Sequence, residues 1–269
     1  MENMSTPYNT VLTIAGSDSS GGAGIQADIK SISANGGYAA SVITATTAQN
    51  TQGVTDIHPI PVPHIVKQLE AVLDDIHVDA VKIGMLHSSE VIEAVQSTLA
   101  RYDIHKIVFD PVMIATSGDK LITDNAIETL KFFLPHTYLI TPNIPEAEVL
   151  IGHSISLENV ASTAKALGEK YQTSVLLKGG HLALSDEMTD TLYNYESKKI
   201  TTIKNKAIET INTHGTGCSL SSSIATFIAL GEELESATIK GCEYLNSAIE
   251  RGKEKVLGKG HGPVNHFGL

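Results

Sequence analysis

The segment Asn212-Thr213-His214-Gly215-Thr216-Gly217-Cys218 gathers two glycines, two threonines and a thiol ahead of a helical pattern. Leu220, Ile224, Phe227 and Ile228 recur at helical spacing through to Leu230, and Gly231 supplies a stop. Gly215, Thr216, Gly217 and Cys218 therefore fall in the first turn of the predicted helix. Backbone N–H groups there have no partner within the helix, and the aligned peptide dipoles favour negative charge, so small residues admit a phosphate closely. The same field predicts a Cys218 thiol more acidic than a free one. Cys218 is a candidate nucleophile or base beside an anion hole built on Gly215 and Gly217, with Thr213 on the nucleotide side. Taken alone, the motif also fits plain helix capping around a small buried cysteine.

Other polar residues follow short apolar runs. Asp110, Asn143 and Glu146 offer hard oxygen ligands that suit Mg²⁺, with Asp110 and Glu146 as the metal candidates. Lys178, followed by Gly179-Gly180-His181, puts a cation where backbone can also approach a phosphate. Each has an ordinary alternative, because Asp and Asn flank turns and a lysine ending a strand is commonly a surface charge. Together with the helix mouth they supply what phosphoryl transfer needs: metal, charge clamp and anion hole. No Walker-type glycine loop ending in Lys and Ser or Thr is present. For the acceptor molecule, Asp28 and Gln49 can exchange hydrogen bonds with an aminated heterocycle, Met85 offers a soft wall for a flat ring, and Gly16 opens the same edge. Asp28 could instead complement a helix dipole, Gln49 belong to a solvated loop and Met85 to the core.

The elements that position these residues read as strand alternating with helix. Strands are predicted at Val11–Ala15, Val42–Ala45, Ala80–Ile83, Ile107–Phe109, Leu139–Thr141 and Val175–Leu177. Helices are predicted through Ile25, Ile29 and Ile32, over Ile65–Ile76, after a Ser88 cap and after Thr123. That alternation implies right-handed βαβ units and a mostly parallel sheet covered on both faces. Thr189–Tyr195 and Lys199–Ile203 break the rhythm as an antiparallel pair. Tyr38–Pro63, crowded with Thr, Gln, Asn and three prolines, reads as irregular: a solvated loop, a pocket wall or a lid. In such a sheet, ligands bind beyond the carboxyl ends of the strands, where Gly16, Gln49, Met85, Asp110, Asn143, Glu146 and Lys178 lie.

With 269 residues, 42% of them hydrophobic, the chain suits a single α/β domain over 1–269. A formal net charge of −11 argues against nucleic acid and anionic membrane as partners. Two cysteines and a polar start from Met1 to Thr10 predict a reduced, cytoplasmic protein.

The motifs resemble those of the hydroxymethylpyrimidine and hydroxymethylpyrimidine phosphate kinases of thiamine biosynthesis, in the ribokinase-like superfamily. The likeness runs from Leu12-Thr13-Ile14-Ala15-Gly16-Ser17-Asp18 to Gly260-His261-Gly262-Pro263-Val264-Asn265-His266-Phe267. Between them lie Gly21-Gly22-Ala23-Gly24-Ile25-Gln26-Ala27-Asp28, Ala48-Gln49-Asn50-Thr51-Gln52-Gly53-Val54, Lys82-Ile83-Gly84-Met85-Leu86, Thr141-Pro142-Asn143-Ile144-Pro145-Glu146-Ala147 and Lys178-Gly179-Gly180-His181. The resemblance implies a three-layer sandwich, a homodimer, and an ATP- and Mg²⁺-dependent kinase. Such an enzyme phosphorylates 4-amino-5-hydroxymethyl-2-methylpyrimidine and then its monophosphate. It also implies a substrate pocket at Asp28, Gln49 and Met85, with the nucleotide and metal at Asn143, Glu146 and Lys178. Cys218 stands where most ribokinase-like sugar kinases carry a catalytic aspartate. A thiolate there is expected to assist the alcohol step more than the phosphate step, whose acceptor is already ionised. Pyridoxal kinase of the same cysteine-bearing branch and a non-catalytic pyrimidine sensor are the alternatives.

Overall fold

Runs such as Ala80–Ile83 and Ser174–Leu177 are buried along their whole length, which requires cover on both faces of the sheet. A computed structural model of the chain describes residues 6–113, 122–180 and 187–268. Its strands are β1 Thr10–Asp18, β2 Tyr38–Asn50, β3 Gly53–Pro59, β4 Ala80–Ile83, β5 Ile107–Phe109, β6 Leu139–Ile140, β7 Ser174–Leu177, β8 Glu187–Asn194 and β9 Lys199–Lys206. They form one sheet in the order β3-β2-β1-β4-β5-β6-β7-β8-β9. The six central strands are parallel, while β3 at one edge and β8 and β9 at the other pair antiparallel.

Strand alternation sends neighbouring residues to opposite layers. Leu12, Ile14, Val81, Ile83, Phe109, Val175 and Leu177 join one core, which α2 Val62–Leu73, α3 Ser89–Arg101, α4 Asp124–Phe133, α5 Ile144–Ile151 and α6 Val160–Tyr171 cover. Val11, Ala80, Val108, Leu139 and Leu176 face the other, under α1 Gly24–Ala34, α7 Thr216–Ala229 and α8 Leu234–Gly252. The expected three layers are present. Ser88 and Thr123 cap α3 and α4, accepting from Val91 N at 3.4 Å and Ala126 N at 3.3 Å.

The chain leaves β1 for β2 on one side and reaches β4 on the other, so the strand order reverses at β1. The crevice beyond the carboxyl ends of β1 and β4 is where an open parallel sheet binds ligands. The residues Tyr38–Pro63 correct the expected irregular stretch. They form β2 and β3, an antiparallel ribbon paired from Ala45 opposite Pro59 to Asn50 opposite Gly53, with a bulge between Ala48 and Gln49. Fully buried positions alternate along β2 only up to Ala45, and from Thr46 to Asn50 exposed positions alternate with half-buried ones. Beyond Ala45 the ribbon leaves the layers and neither face is fully buried, so no apolar alternation is needed to mark the strand.

Candidate active site

At the end of β1 the chain turns sharply into α1 around Asp18. Its carboxylate accepts from the N–H groups of Ser20, Gly22 and Ala23 at 2.8, 3.0 and 2.9 Å, and lies 2.8 Å from His214 Nε2. Burial alone would raise its pKa, but the bonds from His214, Ser20 and Ala23 outweigh it and hold the carboxyl at about 2. His214 precedes Gly215, the N-cap of α7, which adopts φ +79°. A Cβ on Gly215 would stand 1.9 Å from the Gly22 carbonyl oxygen, so only glycine permits this approach of two loops. The Asp18–His214 pair thus clamps the mouth of α7 onto the first loop. Sequence reasoning gave neither residue a task; a histidine inside a small-residue helix mouth and an aspartate inside a glycine loop were the available signals.

In the first turn of α7, Thr216 N–H folds back on the Thr213 carbonyl and Ser219 N–H reaches that of Gly215. Gly217 and Cys218 N–H have no acceptor among the described residues, which leaves two aligned donors at the positive end of the helix. Gly217 stands over a partly buried ion pair. Lys178 Nζ donates to Asp110 Oδ1 at 2.9 Å, and Thr141 Oγ1 donates to the same oxygen at 3.1 Å. A Cβ on Gly217 would meet Asp110 Oδ2 at 3.0 Å and Lys178 Nζ at 3.4 Å. Burial disfavours the Lys178 ammonium, yet the charges of Asp110 and Glu146 raise its pKa and keep it ionised.

Asn143 and Glu146 form a capping box on α5: Asn143 Oδ1 accepts from Glu146 N and Glu146 Oε2 from Asn143 N, each at 2.9 Å. Burial, opposed by Lys178 and reinforced by Asp110, brings the Glu146 carboxyl up to about 7. Asp110 and Glu146 both act on the single Lys178, so a further cation would find acidic oxygens here. No cluster of three or more His, Cys, Asp or Glu that could hold a metal ion occurs among the described residues. This donor set fits Mg²⁺, which takes few protein ligands and keeps water and phosphate oxygens.

On the acceptor side, Gly16 and Met85 face each other, with a Cβ on Gly16 2.7 Å from Met85 Cε. Thr44 Oγ1 donates to the Met85 carbonyl at 2.9 Å. Gln49 is held by its backbone, its N–H donating to Ser19 Oγ at 2.8 Å and its carbonyl accepting from that hydroxyl at 2.7 Å. Its amide nitrogen lies 3.5 Å from His214 Nε2.

Two expectations are corrected here. Asp28, expected to exchange hydrogen bonds with the substrate's heterocycle, is instead 0% exposed: both its oxygens are engaged by Lys82, and they also accept from Thr13 Oγ1 and Ser222 Oγ. Four polar groups of β1, β4, α1 and α7 saturate one another, as a buried carboxylate demands. The Cys218 thiol, expected to be acidic, is pushed up to about 11 by burial, with Lys82 acting against this and Asp28 and Asp110 adding to it. Desolvation and two carboxylates outweigh the helix field and the Gly24 N–H that donates to the sulfur. His181, expected beside Gly180, and Met1–Ser5 of the polar start lie outside the described residues.

The fold is that of the ribokinase-like kinases. Bacillus subtilis pyridoxal kinase, solved as an ADP complex, matches with a TM-score of 0.87 and 31% identity over 96% of this chain and 97% of its own. A Clostridium difficile phosphomethylpyrimidine kinase matches with a TM-score of 0.79 and 42% identity over 89% and 99%. Sequence then separates these two kinds of kinase. The chain belongs to the phosphomethylpyrimidine kinase family, whose pattern matches residues 18–265. The hydroxymethylpyrimidine/phosphomethylpyrimidine kinase of Haemophilus influenzae is 44% identical over 96% of each chain. The thiamine biosynthesis bifunctional protein ThiED of Geobacter sulfurreducens is 47% identical over 97% of this chain, which spans 53% of that protein. The chain likewise spans only about a third of the longer Corynebacterium glutamicum multifunctional protein, 34% of its length.

Proposed function

We propose that the chain, acting as one domain, transfers the terminal phosphoryl group of ATP to hydroxymethylpyrimidine and then to the resulting monophosphate. The convergence of the α7 mouth with the Asp110–Lys178 pair at Gly217 carries this reading, because it joins free backbone donors to a fixed cation at a ligand-binding strand edge. Lys178 and the Gly217 and Cys218 N–H groups would stabilise charge on the transferring phosphoryl group. Asn143 and Thr213 would position the nucleotide. Asp110 and Glu146 would hold Mg²⁺, which supplies charge neutralisation on the phosphates. Gly16, Met85 and Gln49 would hold the pyrimidine, and the thiolate of Cys218, the minor form of a thiol held at about 11, would take the alcohol proton.

The chemistry of the two acceptors assigns different tasks to the thiol. An alcohol must lose its proton as it attacks, whereas a phosphate monoester is already an anion near neutral pH. The two cysteines, both free, suit a reducing cytoplasmic setting, and no helix among the described residues is long and apolar enough to cross a membrane. A homodimer is the proposed assembly, checked by light scattering on the eluting protein.

The likeness to pyridoxal kinases, at TM-scores of 0.87 and above with 28–31% identity, favours pyridoxal as a second acceptor. A coupled assay of Mg²⁺-dependent ADP release, run with hydroxymethylpyrimidine and with pyridoxal, tests both. Turnover with pyrimidine supports the main reading, turnover with pyridoxal alone replaces the acceptor, and silence with both leaves a pyrimidine sensor.

A further inference from the structure

Lys82 is a charged residue inside an otherwise aliphatic four-residue strand, and its side chain is fully buried. An ammonium is costly in that place, and an aliphatic residue would pack there as Val108 does on the neighbouring strand. Thr13 stands opposite it across the β1–β4 register, and both face the α1 and α7 layer. Lys82 Nζ lies 2.8 and 2.9 Å from the two oxygens of Asp28. Asp28 also accepts from Ser222 Oγ at 2.6 Å. Ser222 follows Cys218 by four residues, so the two side chains stack on one face of α7. The lysine also runs toward the carboxyl end of β4, because a Cβ on Gly84 would come within 2.8 Å of Nζ. The ammonium is thereby tied, through Asp28 and Ser222, to the face of α7 that carries the thiol one turn away.

We infer that Lys82 is a positioning residue for the alcohol step: its ammonium, held by Asp28, offsets the negative charge of the Cys218 thiolate that receives the acceptor's proton. In that step the O–H bond of the alcohol breaks as the S–H bond forms. The alcohol oxygen then bonds to the terminal phosphorus, and ADP leaves with the electrons of the broken P–O bond. Lys82 is the largest influence that opposes the upward push of burial on this thiol, while Asp28 and Asp110, the carboxylates that act on it, push the other way. The phosphate step needs no such proton transfer. This inference rests on the two-step reading above only for its kinetic arm.

Removing Lys82 alone would strand the Asp28 carboxylate, so the decisive variant is the neutral pair Asp28→Asn with Lys82→Met, and Asp28→Asn with Lys82→Gln is its more polar counterpart. Alkylation of Cys218 by iodoacetamide at pH 8.5, with Cys218→Ala as the blank for Cys242, reads thiolate content without any substrate. The neutral pair should alkylate at least tenfold more slowly than the native chain. Asp28→Asn alone leaves the cation and removes an anion, so it should alkylate at least threefold faster, a reversal of sign that a packing defect does not produce. In turnover, the neutral pair should lose at least tenfold in kcat with the alcohol and less than threefold with the phosphate. Native alkylation rates in a folded neutral pair, or slowing in Asp28→Asn as well, would overturn the inference. If the native protein turned over neither acceptor, the two-step reading would fail while the alkylation rates still decided the role of Lys82.

Discussion

Replacing Gly217 by alanine separates the stability of this fold from its activity. The new methyl would stand 3.0 Å from Asp110 Oδ2 and 3.4 Å from Lys178 Nζ. Both neighbours are side-chain ends, so a shift of roughly 0.4 Å in the carboxylate restores ordinary contact. Alanine in place of glycine favours a helix by about 1 kcal/mol, although less in its first turn. The two effects roughly offset, and the melting temperature should stay within about 3 °C of the native value. Activity should respond quite differently. The methyl occupies the approach between the helix donors and the ion pair, so the terminal phosphate loses contact with both. Loss of one anion-hole donor typically lowers kcat by about 10²–10³-fold, or ~3–4 kcal/mol. The drop should appear equally in kcat and kcat/KM, since these contacts strengthen only as charge develops. Thermal melting together with ADP release measures both. A variant that melts normally and keeps kcat within threefold of native would refute the placement of the phosphoryl group at Gly217.

Asp18→Asn should cost about 2 kcal/mol at pH 7, because the native carboxyl is held at about 2, below its ordinary range. A depressed carboxyl stabilises the fold above roughly pH 4 and loses that effect as pH falls toward 2, so urea midpoints of variant and native should converge in acid. Glu146 has the opposite sign. Raised to about 7 in the folded chain, it makes stability decline as pH climbs from the ordinary carboxylate range through 7. Glu146→Gln should flatten that decline in urea titrations while weakening nucleotide turnover; an unchanged pH profile would discount the burial argument. Asn143→Ala removes the acceptor that caps α5 and should cost about 1 kcal/mol and raise KM for ATP, leaving that for the pyrimidine within twofold.

Much of the sheet was legible because buried parallel strands are short apolar runs, and the polar residues that end them mark the binding edge. The α7 mouth could be placed for the same reason, since glycine and threonine ahead of an apolar helical pattern leave little choice of backbone. The β2–β3 ribbon was not legible: a strand with no fully buried face needs no apolar alternation, and its register comes from pairing alone. Asp28 was misplaced because its own sequence neighbourhood says helix, while the partners that bury it, Thr13, Lys82 and Ser222, come from three other elements. Lys82 did leave a trace, as a lysine inside an apolar strand. The acidity of Cys218 was misjudged for a related reason. The helix field is a local property that sequence exposes, whereas desolvation and the nearby carboxylates depend on the whole fold. Resemblance supplied the pyrimidine itself, which no spacing of residues encodes.

The central claim is that one cleft phosphorylates an alcohol and then the phosphate it has made. A phosphorus NMR time course with hydroxymethylpyrimidine and MgATP follows both transfers in one tube. The account predicts a monophosphate ester resonance that rises first, then a diphosphate pair that grows at its expense as ADP accumulates, with both transfers suppressed in Gly217→Ala. Unchanged ATP, or ADP and free phosphate with no pyrimidine ester, would contradict it.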